Sequence, residues 1–428
     1  MLSSAPAPAP DHSPGLIDSS GIRQGGRDVL SLALMDARNH TLHLLRQFQQ
    51  SLEAGGFSVP CLPILNPPLW EVGHLGWFQE RWISRNLQRQ QGAWCDPGAA
   101  CLPSIEPNAD RWWDSSHVAH QSRWSLDLPG EEDCRAYLLQ TLDSTLGLLE
   151  KAGDSDQALY FYRLCLFHED MHAEAMTAAL QALGLPLDAP LRKALTPAAM
   201  TLREPLCMPA TRWPLGSAAE SPGFVFDNEA GQHDVNVPEF EIDAQPVSWA
   251  QYVEFVADGG YDRSELWCAE GWHWLQVISE KEGRRGPRYV EQIGVASGAV
   301  MQTRFGQSQR MSGQQPAMHM SWWEADAWCR WAGRRLPFEV EWEMAAHSAD
   351  RRGFRWGDVW EWTGNNFAPY PGFQAGPYAD YSAPWFGTHK ALRGGSIATR
   401  ARMKSPKYRN FYLPGRDDIF CGFRSCAL

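Results

Sequence analysis

Leu166-Phe167-His168-Glu169-Asp170-Met171-His172-Ala173-Glu174 lies within residues 156–184, a run of helical apolar spacing with no internal glycine or proline. The spacing predicts one long helix. His168 and His172 are four residues apart, so their imidazoles share a face about one turn apart. Two imidazoles at that spacing can hold one transition metal. Glu174 is swung roughly 200° around the axis from His172 and cannot easily join the same ion. A third ligand must therefore come from another segment. Two core histidines satisfied by hydrogen bonds would show the same spacing, and the pair alone leaves both readings open.

Three more helices are expected before it. Residues 27–54 carry Val29, Leu30, Leu34, Leu42, Leu45, Phe48 and Leu52 at helical spacing and end at Gly55-Gly56. His40 and His43 in this helix read as solvated or locally bonded. Asn66-Pro67-Pro68 breaks the chain and opens a second helix, since proline is tolerated in a first turn. There Trp70, His74, Trp77 and Arg81 fall on one stripe, and His74 stands among large aromatics on a core-facing side. His74 is the choice for the third ligand. Residues 131–151 form the third helix, with Leu138, Leu142, Leu146 and Leu149 as its apolar face. Four long helices with ligands projecting inward describe a four-helix-bundle metal site. Residues 86–129 read as a long loop, and a loop of that length with Trp112, Trp113, His117, His120 and Arg123 in it reads as functional.

A chain of 428 residues suggests two or three domains. A net charge of −12 without a Lys/Arg block argues against a nucleic-acid partner. Ten cysteines scattered without a Cys-x-x-Cys pair read as reduced thiols of a cytoplasmic protein. No apolar stretch approaches the roughly 18–20 residues that span a bilayer, so no membrane partner is expected. Residues 1–25, rich in Ala, Pro, Ser and Gly and lacking an apolar secretory segment, read as a disordered tail.

Past a linker over residues 186–205 helical periodicity mostly stops. Short strands are expected at Phe224-Val225-Phe226 and Phe240-Glu241-Ile242, and helices at residues 249–257 and 322–333, the latter capped by Ser321. Residues 279–312 and 365–390 read as loop. A region so irregular needs aromatic packing and buried arginine pairs, and its repeated tryptophans and arginines suit that role.

Four ordered motifs in this half resemble the formylglycine-generating-enzyme-like (sulfatase-modifying factor) fold, a variant of the C-type lectin fold. They are Arg335-Leu336-Pro337-Phe338-Glu339-Val340-Glu341-Trp342-Glu343, Gly357-Asp358-Val359-Trp360-Glu361-Trp362-Thr363, Leu392-Arg393-Gly394-Gly395-Ser396 and Gly422-Phe423-Arg424. The helical half resembles a DinB-like bundle, with His74 in a Trp-x-x-x-His pattern and His168-x-x-x-His172-x-Glu174. The two in this order resemble the iron(II) sulfoxide synthases of ergothioneine biosynthesis. The resemblance implies an α+β chain: a tail over 1–25, a DinB-like four-helix bundle over 26–190, and a lectin-like domain with little regular structure over 200–428. It also implies a non-haem Fe(II) held by His74, His168 and His172. O₂ and hercynine would be the partners, with oxidative attachment of a chalcogen to C2 of the hercynine imidazole.

Further roles follow residue by residue from the same resemblance. Tyr378-Ala379-Asp380-Tyr381-Ser382 resembles the family's paired tyrosines, which makes Tyr378 the proton donor and Tyr381 its support, with Tyr370 a rival. A phenol is neutral at pH 7 and can give a proton or a hydrogen bond. In Tyr408-Arg409-Asn410-Phe411-Tyr412, Asn410 matches a hercynine-binding position, and Phe411 stands where the family has a tryptophan, offering a face for cation–π contact. Tyr412 replaces an aspartate that binds the amino group of a cysteine-type donor, while Arg416 is retained. Met171 replaces a glutamine that binds hercynine. Residues 110–123 lack the Arg-x-x-Arg that binds the donor's carboxylates. A pocket so stripped of charge resembles that of the selenoneine-forming branch, which joins hercynine to a 1-seleno-sugar through a selenoxide. Ser115, His117 and Arg123 then become sugar contacts. The alternatives are an ergothioneine-type enzyme using cysteine or γ-glutamylcysteine, a formylglycine generator, and a non-catalytic binding module. Residues 397–410 lack the cysteine that formylglycine chemistry needs.

Overall fold

The computed structural model describes residues 14–52, 56–294 and 298–428. Its first part is helical: α1 (Pro14–Ile17), α2 (Arg27–Leu52), α3 (Pro68–Gln79), α4 (Ala109–Trp113), α5 (Glu131–Leu149), α6 (Asp156–Ala182) and α7 (Ala189–Ala194). The long helices α2, α3, α5 and α6 pack on one another. Leu30, Leu34, Leu44, Leu45 and Phe48 of α2 and Leu159, Phe161, Leu164, Leu166 and Phe167 of α6 are all buried, as their spacing requires. Ser155 caps α6 by accepting from the Ala158 N–H. Two glycines set the depth of α3: a Cβ at Gly73 would lie 2.1 Å from the Trp113 indole, and one at Gly76 would lie 2.8 Å from the Tyr137 ring. The backbone of α3 is thus flush against its neighbours just where His74 projects. Inside the helices Arg38 is clamped by Glu169 at 2.8 and 3.0 Å and also binds Gln79 and the Leu138 carbonyl.

The second part alternates short strands with four helices. In order these are β1 (Leu206–Met208), β2 (Thr211–Leu215), β3 (His233–Val237), β4 (Phe240–Ile242), α8 (Trp249–Ala257), α9 (Ala269–Glu282), β5 (Val290–Gly294), β6 (Ala299–Arg304), β7 (Gln307–Met311), α10 (Trp322–Trp331), β8 (Arg334–Arg335), α11 (Glu339–Ser348), β9 (Trp360–Asn366), β10 (Lys390–Gly394), β11 (Arg409–Tyr412), β12 (Cys421–Gly422) and β13 (Cys426–Ala427). The sheets run β1-β4-β13-β8, β11-β10-β9-β12, β2-β3 and β5-β6-β7. In the second sheet Leu392 stands opposite both Trp362 and Asn410. Arginine pairs hold this part together as expected: Arg424 with Glu361, Arg409 with Glu339 and Arg393 with Glu343 are all buried. Trp342 adds a 2.8 Å bond to Glu361.

Several expectations are corrected. The tail was expected to reach residue 25, yet the chain is folded from Pro14: Ile22 is buried, Arg23 pairs with Glu229 at 2.6 and 2.9 Å, and Asp18 accepts the Arg402 N–H. A composition rich in small residues hid these anchors; residues 1–13 lie outside the described ones, as does the Gly55 helix end. Residues 224–226 are not a strand, and Phe224 instead donates to the Arg23 carbonyl. Residues 279–312 hold the β5-β6-β7 meander. The inward positions of β6 include Gln302 and Arg304, which break the apolar alternation that would have revealed it. Helices α9 and α11 were also unexpected; α11 buries Glu339, Glu341 and Glu343 against arginines and so shows no apolar period.

None of the ten cysteines forms a disulfide, and no described helix is long and apolar enough to cross a membrane.

The two parts meet along α6. Arg402 binds Asp170 through two bonds of 2.7 and 2.8 Å and reaches Asp36 of α2 at 2.8 Å. One turn on, the Glu174 carboxylate accepts from Trp360 Nε1 at 2.8 Å, Ser396 Oγ at 2.6 Å and Thr399 Oγ1 at 2.7 Å. The residue too far around α6 to join the histidines therefore binds the neighbouring half instead.

Candidate metal centre and substrate cleft

Helix α6 presents His168 and His172, and α3 presents His74. One ligand atom from each lies within 4.8 Å of the others. The ring centroids are 5.1, 5.0 and 4.4 Å apart. His74 and His168 are buried, whereas His172 is half-buried and marks the open side. His74 is stacked between Trp70 and Trp77, and His168 lies on Phe78 with centroids 3.5 Å apart.

Hydrogen bonds fix which nitrogen is available. His74 Nδ1 donates to the Trp113 carbonyl at 2.8 Å, and His172 Nδ1 donates to Glu71 at 2.6 Å, which leaves the Nε2 atom of each ring free. His168 Nε2 is buried without any partner. An orphaned buried nitrogen facing two other imidazoles calls for something between them. Burial, and then the neighbouring His172, pushes His74 down to about 3 and lowers His168 as well, so both are neutral as metal ligands must be. Burial alone would raise Glu71, but the His172 imidazole beside it holds its carboxyl below the usual range. Three imidazole nitrogens with one open side fit a first-row divalent ion such as Fe(II).

Tyr378 stands over this centre, edge-on to Phe78 at 4.9 Å and to His168 at 5.9 Å. Burial pushes its phenol up to about 12, so it keeps its proton at neutral pH. Tyr381 is 5.9 Å from Tyr378, and its hydroxyl lies 3.2 Å from that of Tyr408, which donates to Met171 Sδ at 3.4 Å. Tyr378, Tyr381 and Met171 are thus gathered beside the histidines. Glu71, Phe78 and Tyr408 were missed in the sequence, although Glu71 is three residues before His74 and so shares its helix face.

The other expected residues scatter more. Asn410 and Tyr412 share one face of β11, and burial pushes Tyr412 to about 12. Phe411 is on the opposite face, stacked on Phe367 at 4.2 Å, so one side of the ring expected to meet a cation is already covered. Arg416 is held by Asp418 at 2.5 and 2.7 Å and lies 5.1 Å over the Tyr412 ring; its charge is compensated, not free for a donor. Ser115 and His117 line a cleft of about 260 Å³ together with Trp77, Trp82, Arg81, Asp380 and Tyr378. Arg123 is not among that cleft's walls: it lies 3.7 Å over Trp70 and binds Asn66 at 2.7 Å. Tyr370 lines a different cleft, of about 540 Å³, with Phe338 and Arg409. His43 is bonded to Asp188, as a locally satisfied histidine would be.

A mixed helix-and-strand chain that gathers three imidazoles beneath a tyrosine has the make-up of a mononuclear metalloprotein. Residues 196–358 match the sulfatase-modifying factor enzyme 1-like domain family. The chain is 30% identical to the hercynine oxygenase of Mycolicibacterium smegmatis, over 93% of this chain and 98% of that one. It is 31% identical to the hercynine oxygenase of Mycobacterium tuberculosis, over 85% of this chain and 91% of that one. The formylglycine-generating enzyme of Streptomyces coelicolor is 26% identical over 44% of this chain and 77% of its own. The chain belongs to the hercynine oxygenase family.

Proposed function

We propose that this protein is an Fe(II)- and O₂-dependent enzyme that joins C2 of the hercynine imidazole to the selenium of a 1-seleno-sugar. The observation that carries this reading is the convergence of His74, His168 and His172 beside Tyr378 in a chain similar to hercynine oxygenases along nearly its whole length. The net change consumes the imidazole C2–H, the Se–H and one O₂, and yields a selenoxide and water. Bound by the three imidazoles, Fe(II) supplies oxygen activation and a position for a soft selenolate. Glu71 and the Trp113 carbonyl orient two of the imidazoles. Tyr378 holds a proton for transfer, and Tyr408 fixes Tyr381 and the Met171 thioether next to it. The histidines belong to a DinB-like four-helix unit over 26–190, and the tyrosines to a lectin-like unit over 200–428.

The donor reading rests on charge. The cleft at Ser115 and His117 is walled by Trp77 and Trp82, and its acidic side chains Asp114 and Asp380 stand with Arg81 and with His117, whose Nδ1 binds Asp114 at 2.8 Å. With His117 taken up by Asp114, the cleft has, among the described residues, no pair of free cations for the carboxylates of an amino-acid donor. Aromatic walls with hydroxyl and carboxylate acceptors suit a neutral polyol. Product mass spectrometry of the iron-loaded enzyme with hercynine and a 1-seleno-sugar, a 1-thio-sugar, cysteine or γ-glutamylcysteine tests it. The sugar selenol is expected to be turned over fastest; turnover confined to the cysteine-type thiols would make the protein an ergothioneine-type sulfoxide synthase instead.

Tyr378→Phe is expected to bind iron and hercynine as the wild type does, and to lose roughly 10²–10⁴-fold in product formation, the range of a positioned proton donor. Wild-type yield from this variant would place the donor elsewhere.

A further inference from the structure

The helical turn His120–Ser125 follows the loop that walls the donor cleft, and it docks on the segment before α3 through three side-chain bonds. His120 Nε2 donates to the Leu65 carbonyl at 2.7 Å, Arg123 Nη1 to Asn66 Oδ1 at 2.7 Å, and Trp124 Nε1 to the Val59 carbonyl at 2.9 Å. The middle bond continues inward. Asn66 Nδ2 donates to Glu71 Oε2 at 2.6 Å, and the other Glu71 oxygen accepts from His172 Nδ1 at 2.6 Å. Three short bonds thus run unbroken from Arg123 to one ligand imidazole. A second route runs through packing: the Arg123 guanidinium lies over Trp70, and Trp70 is stacked on His74 at 4.9 Å and 8°. Asparagine suits the middle position because one planar amide offers a donor and an acceptor at once.

We propose that Arg123 and Asn66 are positioning residues of the metal centre, tying the loop that walls the donor cleft to the orientation of His172 and His74. The proposal rests on the reading of the three histidines as a metal site. Arg123 acts through Asn66 and Glu71 on one imidazole and through Trp70 on another. Partners of this outer kind set ring orientation and ligand strength, and their loss typically weakens metal binding about 10–100-fold. Because coupling between two sites is reciprocal, filling the metal site must also steady the loop.

The test uses Co(II) as a spectroscopic probe with the full-length chain. Competition against a chelator is measured for wild type, Asn66→Leu, Arg123→Met, Glu71→Gln and Asn66→Leu/Glu71→Gln, with circular dichroism to verify folding. Asn66→Leu and Arg123→Met are expected to bind Co(II) about 10–100-fold more weakly, with a shifted ligand-field spectrum. The double variant is expected to be no worse than Glu71→Gln alone, since residues acting in one series are not additive. Amide exchange in residues 114–125 is expected to slow on Co(II) addition in the wild type and not in Asn66→Leu. Wild-type Co(II) binding matched by both single variants, or fully additive effects, would overturn the relay alone. Absence of Co(II) binding by the wild type would overturn the metal reading and the relay with it.

Discussion

His168→Ala is expected to yield a folded protein that carries no iron and forms no product from hercynine. In the wild type the buried Nε2 of His168 has no partner, and its ring is stacked on Phe78. Removing the ring leaves a cavity but also removes an unsatisfied polar atom, so the metal-free variant should melt close to the metal-free wild type. The difference appears on loading. A ligand that binds only the folded state stabilises it by about 2.7 kcal/mol at a hundred times its dissociation constant. Wild type should therefore melt several degrees higher with Fe(II) under anaerobic conditions, and the variant should not respond. Elemental analysis and paired melting curves decide this; a variant that retains one iron per chain would remove the three-histidine reading.

Arg402→Met is expected to destabilise the fold by roughly 3–5 kcal/mol, the range for breaking a buried ion pair by removing one partner. Arg402 is fully buried, as is the Asp170 carboxylate it clamps. Without the guanidinium, Asp170 is an uncompensated buried charge on α6, two residues before His172 and two after His168. Arg402→Met/Asp170→Asn removes both charges and should recover a large part of the loss. Urea unfolding of the three proteins measures this, and a single-variant effect below about 1 kcal/mol, the range of surface pairs, would mean that water reaches the pair.

The helices around the histidines were legible because their apolar residues recur at the helical period, and His74 could be picked from its aromatic stripe. The partners that orient the rings were much less so. Glu71 shares the His74 face, but nothing local shows that it meets His172, 101 residues away. The family resemblance made Arg123 a contact to the donor, and instead it lies over Trp70 and binds Asn66. Arg416 was expected to bind substrate, yet Asp418, only two residues on, compensates its charge. In the second half, α11 escaped notice because glutamates paired with arginines occupy its inward positions, and the β5-β6-β7 meander because Gln302 and Arg304 face inward on β6. Where burial is achieved by ion pairing and not by apolar surface, hydropathy carries no period to read.

Glu174 and Asp170 alternate with His168 and His172 along a single helix, so one rigid rod serves both as ligand carrier and as seam. A one-residue insertion between positions 168 and 174 would turn whatever follows by roughly 100° and break registry on both faces together. Chimeras that exchange one half of this chain for a homologue's should accordingly function only when the crossover falls beyond the end of that helix and the recipient supplies counterparts of Trp360, Ser396, Thr399 and Arg402. Recombination between the two halves is thus gated by four side chains that bind two carboxylates of one helix.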